Sequence, residues 1–262
     1  KDIMEFTINR DIFLKSLSHA YGIIEKKTTL PILSNILIDA RDSKIRITAT
    51  DLDIIYTEEV SLIELKKEGS TTTPANILYD LLRKLEANSK VEFSLQSTNK
   101  LKIISGNSKF NLLCLSSDNF PLSDEDSSQK TFSISSQKLL KLLNKTKISI
   151  SNDETRHYLN GIYLHKTNLE KRSFLTAVAT DSHRLSSSSI EIDSSTEFEP
   201  IILPKKTIFQ LISLMEQNNG DIKIANSKSK IKFMLDHGVL ISKVIDGRFP
   251  DYIKVIPKNN DK

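Results

Sequence analysis

The chain repeats itself, and that repetition restricts its fold to tandem copies of one unit. Pro74, in Thr72-Thr73-Pro74-Ala75-Asn76-Ile77-Leu78, has a counterpart 130 positions later in Pro204, within Ile202-Leu203-Pro204-Lys205-Lys206-Thr207-Ile208. Ala49-Thr50-Asp51 returns at the same interval as Ala179-Thr180-Asp181. Phe120-Pro121 returns 129 positions on as Phe249-Pro250, and Phe6-Thr7-Ile8 is answered 126 positions on by Phe132-Ser133-Ile134. Four landmarks in one order, at nearly one interval, describe a duplicated domain of about 125–130 residues, an ordinary domain size. The expected division is a first domain at 1–122, a linker at 123–130, a second domain at 131–251 and a further linker at 252–262. Ser123-Asp124-Glu125-Asp126-Ser127-Ser128-Gln129-Lys130 is polar, acidic at its centre and without apolar periodicity, which marks a connection. The last residues stand where that linker stands after the first copy. With Lys1 in place of an initiating Met, the expectation is an incomplete chain whose third copy would begin beyond Lys262.

Each copy carries two helical patterns among strands. Ile12, Phe13, Leu14 and Leu17 follow Asn9, a plausible N-cap, at helical spacing. Ile77, Leu78, Leu81, Leu82 and Leu85 do so behind Pro74-Ala75, and Gln137–Lys147 and Lys205–Gln217 supply the helices of the second copy. Between them, residues 44–48, 90–95, 100–104 and 230–235 alternate apolar with polar in β-favouring residues. The fold class expected is α+β: tandem domains, each with two helices packed on antiparallel sheets.

Charge sits unevenly on this pattern. The total is only +4, from 37 Lys and Arg against 33 Asp and Glu. Yet Lys138, Lys141, Lys145 and Lys147 stand on one helix without an acid. Arg10, Lys15 and His19 attend the first helix, with Lys26-Lys27 after it; Arg83 and Lys84 close the second, and Lys205-Lys206 open the fourth. Glu58-Glu59 and Asp124-Glu125-Asp126 fall in strands and linkers. Segregation of this kind makes a positive face that suits phosphates without reading bases, although solvated helix faces are also commonly charged.

Signs of chemistry are few. The seven glycines stand alone, so neither GxGxxG nor GxxxxGK is present. Cys114, the only cysteine, excludes an internal disulfide, reads as a core residue in a strand pattern, and fits a reducing cytoplasm. No apolar run approaches the roughly 18 residues of a membrane span. Asp51-Leu52-Asp53 and Asp181-Ser182-His183 contain metal-ligand and acid–base residue types, but read as polar turns at strand ends. His19, His157, His165, His183 and His237 are scattered. No catalytic residue, metal or cofactor is expected. Two rival readings remain: a metal-dependent nuclease or nucleotidyl transferase using Asp51, Asp53 and Asp181, and a scaffold that docks peptides without touching DNA.

Several longer stretches resemble the bacterial DNA polymerase III beta subunit family, the sliding clamps. They are Thr29-Leu30-Pro31-Ile32-Leu33-Ser34-Asn35, Ala49-Thr50-Asp51-Leu52, Tyr158-Leu159-Asn160-Gly161, Val178-Ala179-Thr180-Asp181-Ser182-His183-Arg184-Leu185 and Asp246-Gly247-Arg248-Phe249-Pro250-Asp251-Tyr252. The likeness runs from about Phe6 to the last residue. It implies two of three similar domains in a subunit, two subunits closing head-to-tail into a ring, helices around duplex DNA and sheets outside. It further implies a non-catalytic processivity factor of the cytoplasmic replication machinery. Its partners would be DNA, the replicative polymerase, the clamp loader and repair polymerases, the proteins being held through short peptides.

The resemblance also assigns residues. Leu159, Thr180, Ser182, His183, Arg184, Leu185, Pro250, Lys254 and Val255 fall at positions of a peptide groove. Ser182 stands where the family usually has Gly, and Lys254 where Arg is expected. Lys27 matches a basic DNA-facing position, to which the helix pattern adds Arg83, Lys84, Lys138, Lys141 and Lys145. Phe110 matches an aromatic at the subunit interface. Without a third domain the chain is expected to be monomeric.

Overall fold

The structure, a computed structural model, describes residues 3–122 and 129–258. The expected linker therefore lies almost wholly outside the described residues, as does the end of the segment 252–262. Contacts divide the chain into two units. The first comprises Lys1–Gln129, Gln217–Lys223 and Lys232–Ser242; the second comprises Lys130–Glu216, Ile224–Ile231 and Lys243–Lys262.

The first unit begins with β1 (Met4–Asn9) and α1 (Arg10–Tyr21), followed by β2 (Asn35–Arg41), β3 (Lys44–Thr50), β4 (Ile54–Ser61), β5 (Glu64–Lys67) and β6 (Gly69–Pro74). Helix α2 (Ala75–Lys84) precedes β7 (Lys90–Ser97), β8 (Lys100–Ser105) and β9 (Ser108–Leu113). One sheet runs β5-β1-β7-β8-β9, and β6-β2-β3-β4 are consecutive strands of another, with antiparallel pairing throughout. The Asn9 carboxamide accepts from the backbone N–H groups of Asp11 and Ile12, so the expected N-cap begins α1. Phe6 stacks on Phe93 at 4.9 Å and Phe13 meets Phe93 edge-on at 5.4 Å. These buried rings join the helix to its sheet.

The second unit opens with β10 (Phe132–Ser135) and α3 (Ser136–Thr146), then β11 (Gly161–Leu169), β12 (Arg172–Thr180), β13 (Leu185–Ile192), β14 (Ile201–Pro204) and α4 (Lys205–Met215). A four-stranded antiparallel sheet runs β13-β12-β11-β14. Three strands follow α4: β15 (Asp221–Asn226), β16 (Lys230–Met234) and β17 (Val239–Lys243). Strand β17 belongs to the first unit as far as Ser242, and it pairs there with β4, Val239 opposite Thr57 and Ser242 opposite Ile54. Leu139, Leu142 and Leu143 of α3 and Ile208, Leu211 and Ile212 of α4 are buried. The α+β class, few helices on antiparallel sheets, is the observed one.

Two details depart from the sequence pattern. Ile12 and Ile77 are 51% and 48% exposed, because each helix buries a narrower stripe than its apolar residues suggest. Leu85 is the C-cap of α2 rather than part of it. Cys114 is buried just past β9, and burial pushes its thiol pKa up, as expected of a core residue. Among the described residues no helix is long and apolar enough to cross a membrane.

Arg10 does not join an outward basic face. Its Nε donates to the Leu82 carbonyl at 2.7 Å and a terminal nitrogen donates to the Arg83 carbonyl at 2.9 Å, satisfying the last carbonyls of α2 with a cation. Replacing Arg10 with Ala is expected to lower unfolding stability by about 1–2 kcal/mol. Urea denaturation with an unchanged m-value would show it; an unchanged midpoint would mean that water satisfies those carbonyls equally well.

Candidate functional site

The turn between β12 and β13 is built from its own polar side chains. Asp181 Oδ1 accepts from the N–H groups of His183 and Arg184, both at 3.0 Å. The Thr180 hydroxyl donates to the Arg184 carbonyl at 2.7 Å and accepts from the Ser182 N–H at 3.1 Å. The first unit contains the same turn. Asp51 Oδ1 accepts from Asp53 N–H and Ile54 N–H, while Thr50 bonds the Ile54 carbonyl and the Leu52 N–H. Both carboxylates thus serve as turn formers. The backbone N–H groups of His183 and Arg184, with the Arg184 guanidinium, hold the Asp181 carboxyl below its ordinary pKa.

This geometry places Leu52 at φ 80° and Ser182 at φ 76°, the left-handed region that favours glycine. Ser182 is held there from outside. Arg156 donates to its hydroxyl at 2.6 Å and, through Nε, to Asp153 at 2.9 Å.

Leu159 arrives from the short 3₁₀ segment Glu154–Leu159. Gly161, two residues on, lies so close to the Leu203 carbonyl that a Cβ would collide with it. Leu159, Val178, Ile202, Phe249 and Tyr252 form one buried cluster, with Leu185 packed against it. Above the cluster is a concave site lined by Leu159, Thr180, Ser182, His183, Arg184, Leu185, Pro250, Tyr252, Val255, Ile256 and Pro257. Its floor is apolar, Leu159 being 2% exposed, while Val255 at the rim is 69% exposed. Of the expected groove residues, only Lys254 does not line the site; its ammonium reaches Asp251 at 3.2 Å. Tyr252, Ile256 and Pro257 line it although neither spacing nor resemblance assigned them to it. Tyr252 ends the Phe-Pro-Asp-Tyr stretch, but nothing local shows that its ring turns inward.

Behind the floor, His165 Nε2 meets the Tyr252 hydroxyl at 2.9 Å and its ring stacks on Tyr163 at 4.3 Å. Burial lowers the His165 pKa to about 4, which keeps the imidazole neutral at pH 7.

The expected DNA-facing residues are all exposed: Lys27 after α1, Arg83 and Lys84 at the end of α2, and Lys138, Lys141 and Lys145 on α3. The α3 lysines, spaced i, i+3, i+7, share the side opposite Leu139, Leu142 and Leu143. Arg83 lies 3.8 Å from Asp80 and over the Tyr79 ring. Other basic residues of the helix pattern are placed differently. His19 is 4% exposed and so does not lie on an outward basic face; Lys205 bonds Asn152 and lies over the Phe209 ring. Phe110 is half-buried on β9, an end strand of its sheet, opposite Ile103. The five histidines are not all scattered, since His19 and His237 stack at 4.4 Å.

Residues 4–124 match the family described as DNA polymerase III beta subunit, N-terminal domain, and residues 133–251 match its central domain. The chain is 38% identical to the beta sliding clamp of Caulobacter vibrioides, over 99% of this chain and 70% of that protein. It is 32% identical to the Escherichia coli K12 clamp over 99% of this chain and 69% of the relative. Among solved structures, a C. crescentus beta sliding clamp superposes with a TM-score of 0.95 at 38% identity, covering 99% of this chain and 69% of that one. A Bartonella birtlesii clamp bound to griselimycin gives 0.94 at 40% identity, covering 98% and 69%.

Two expectations follow from the site. The folded chain keeps His165 neutral, whereas an unfolded histidine takes up a proton near pH 6.5. This residue's contribution is therefore complete above pH 6.5 and declines as the pH falls towards about 4. Over that window the stability of His165→Phe should fall less than that of the parent, as chemical denaturation at several pH values would reveal; parallel profiles would contradict it. Leu52→Gly should leave stability unchanged or raise it by up to about 1 kcal/mol, relief of the left-handed backbone being opposed by greater unfolded-state freedom. A clear loss in thermal unfolding would show that the Leu52 side chain stabilises its turn.

Proposed function

This chain belongs to the DNA polymerase III beta subunit family, the bacterial sliding clamps, and from that membership we propose how its parts share the work of a processivity factor. A sliding clamp is a non-catalytic subunit of the polymerase assembly. The observation that carries the assignment of parts is the apolar site where the Thr180–Leu185 turn, Leu159, Pro250 and Val255 converge. An apolar floor with a polar rim suits a short peptide presenting Leu or Phe side chains. Leu159, Leu185 and Val255 receive those side chains, while Ser182, His183 and Arg184 offer polar groups at the rim, and Lys254 stands beside it. Partners held in this way are the replicative polymerase, the clamp loader and repair polymerases.

Residues 1–122 and 131–251 act as two successive clamp domains joined through 123–130. Duplex DNA is met by Lys27, Arg83, Lys84, Lys138, Lys141 and Lys145 without base readout. Such contacts are individually weak and sequence-independent, so they permit sliding. Head-to-tail closure of three-domain subunits, in which Phe110 takes part, makes retention topological. A polymerase bound in the groove then stays at high effective concentration beside the primer end. The nuclease alternative loses its support at the carboxylates, because Asp51 and Asp181 each accept two backbone N–H groups of their own turns.

Leu185→Ala with Val255→Ala should weaken binding of a fluorescent Leu/Phe-bearing peptide at least tenfold, or about 1.4 kcal/mol. Unchanged polarisation titrations would move the groove elsewhere. Replacing Lys138, Lys141 and Lys145 together with Ala should leave peptide affinity intact. The same change should make DNA binding less salt-dependent, the slope falling by about 0.9 for each phosphate no longer neutralised; an unaltered slope would place DNA on another face.

A further inference from the structure

Glu58, on β4, carries a carboxylate in a residue only 8% exposed. Among the described residues, an imidazole and a phenol reach it. His19 Nδ1 lies 3.0 Å from Oε2 and 3.3 Å from Oε1, and the Tyr56 hydroxyl donates to Oε2 at 3.1 Å. That hydroxyl also lies 3.0 Å from His237 Nδ1, and the two imidazoles stack at 4.4 Å. One ligand atom from each of His19, Glu58 and His237 falls within 4.8 Å of the other two. All of these residues belong to the first unit.

We infer that His19, Glu58 and His237 form a binding site for a single divalent transition-metal ion of the zinc class. Two imidazole nitrogens and one carboxylate oxygen are a donor set that zinc accepts, and that leaves a coordination position for water. A carboxylate this buried needs a compensating positive charge close by; a protonated His19, 3.0 Å away, supplies one when the site is empty, and a bound dication takes its place. The outer partners are also in place. His19 Nε2 lies 2.8 Å from Gln217 Oε1; donation to that oxygen fixes the ring so that Nδ1 faces Glu58. Such a partner orients a ligating histidine and raises its basicity. The Tyr56 hydroxyl steadies the carboxylate in the same manner. Gly238 makes the arrangement possible, because a Cβ there would collide with the Tyr56 hydroxyl.

The site has a way in. His237 is half-buried on the turn between β16 and β17, and it lines a surface depression with Lys44, Arg46, Thr57, Glu59 and Asp236. The rings are nearly parallel, 22° apart, so closing on an ion asks for a modest rotation of His237, which its place on a turn allows. An ion held there would tie α1, β4 and the β16–β17 turn together.

The test uses the untagged, chelator-stripped protein titrated with Zn2+ against a chromophoric indicator, and separately with Co2+ followed by its visible absorption. One saturable equivalent is expected, with d–d bands of nitrogen–oxygen ligation. Affinity should fall at least tenfold in His237→Gln and stay unchanged in Cys114→Ser. Zn2+ should also raise the melting temperature of the parent and not that of His237→Gln. Circular dichroism will show whether His237→Gln folds. If it does not, the Co2+ spectrum of the parent decides, and a sulfur charge-transfer band or the absence of saturable binding overturns the site. A folded His237→Gln with full affinity overturns it as well.

Discussion

A helix that buries one stripe against a sheet must turn the opposite stripe outward, and this chain uses both. The inner stripes of α3 and α4 are Leu and Ile, packed without exposure of consequence. Burial of each such side chain contributes about 1.5–3 kcal/mol, which fixes the rotation of the helix about its axis. Once that rotation is fixed, Lys138, Lys141 and Lys145 have no freedom of placement. The same hydrophobic constraint that folds the domain therefore turns these cations outward.

The concave site depends on a different constraint, the satisfaction of backbone N–H groups in a tight reversal. Thr180 and Asp181 saturate the turn from within, as Thr50 and Asp51 do in the first unit. The duplicated turn has diverged in its surroundings. In the second unit Arg156 grips Ser182, while Leu159, Pro250 and Val255 arrive to make an apolar floor and rim. The same turn occurs in both units, and in the second it borders the concave site.

Membership of the sliding-clamp family explains why the carboxylates and histidines in the groove region are not arranged for bond making. Asp181 holds a turn, and His165 is kept neutral beneath Tyr252 by burial. A processivity factor requires shape and weak attraction. The His19–Glu58–His237 cluster belongs to neither the groove nor the exposed lysines.

The sequence alone was enough to set all four helices, the N-cap at Asn9 and the nature of both Thr-Asp turns. These depend on local periodicity and on side chains bonding their own backbone within a few residues. Resemblance to a family, rather than spacing, named most of the residues that line the concave site. Tertiary structure decided the rest. It diverted Arg10 to the end of α2, buried His19, exposed Ile12 and Ile77, and turned Tyr252, Ile256 and Pro257 towards the groove. It also brought together His19, Glu58, Gln217 and His237, whose partners lie 39 to 198 positions apart along the chain. Contacts at such separations carry no local period. They exist only after the sheets have paired and the chain entropy of closing those long loops has been met by burial elsewhere.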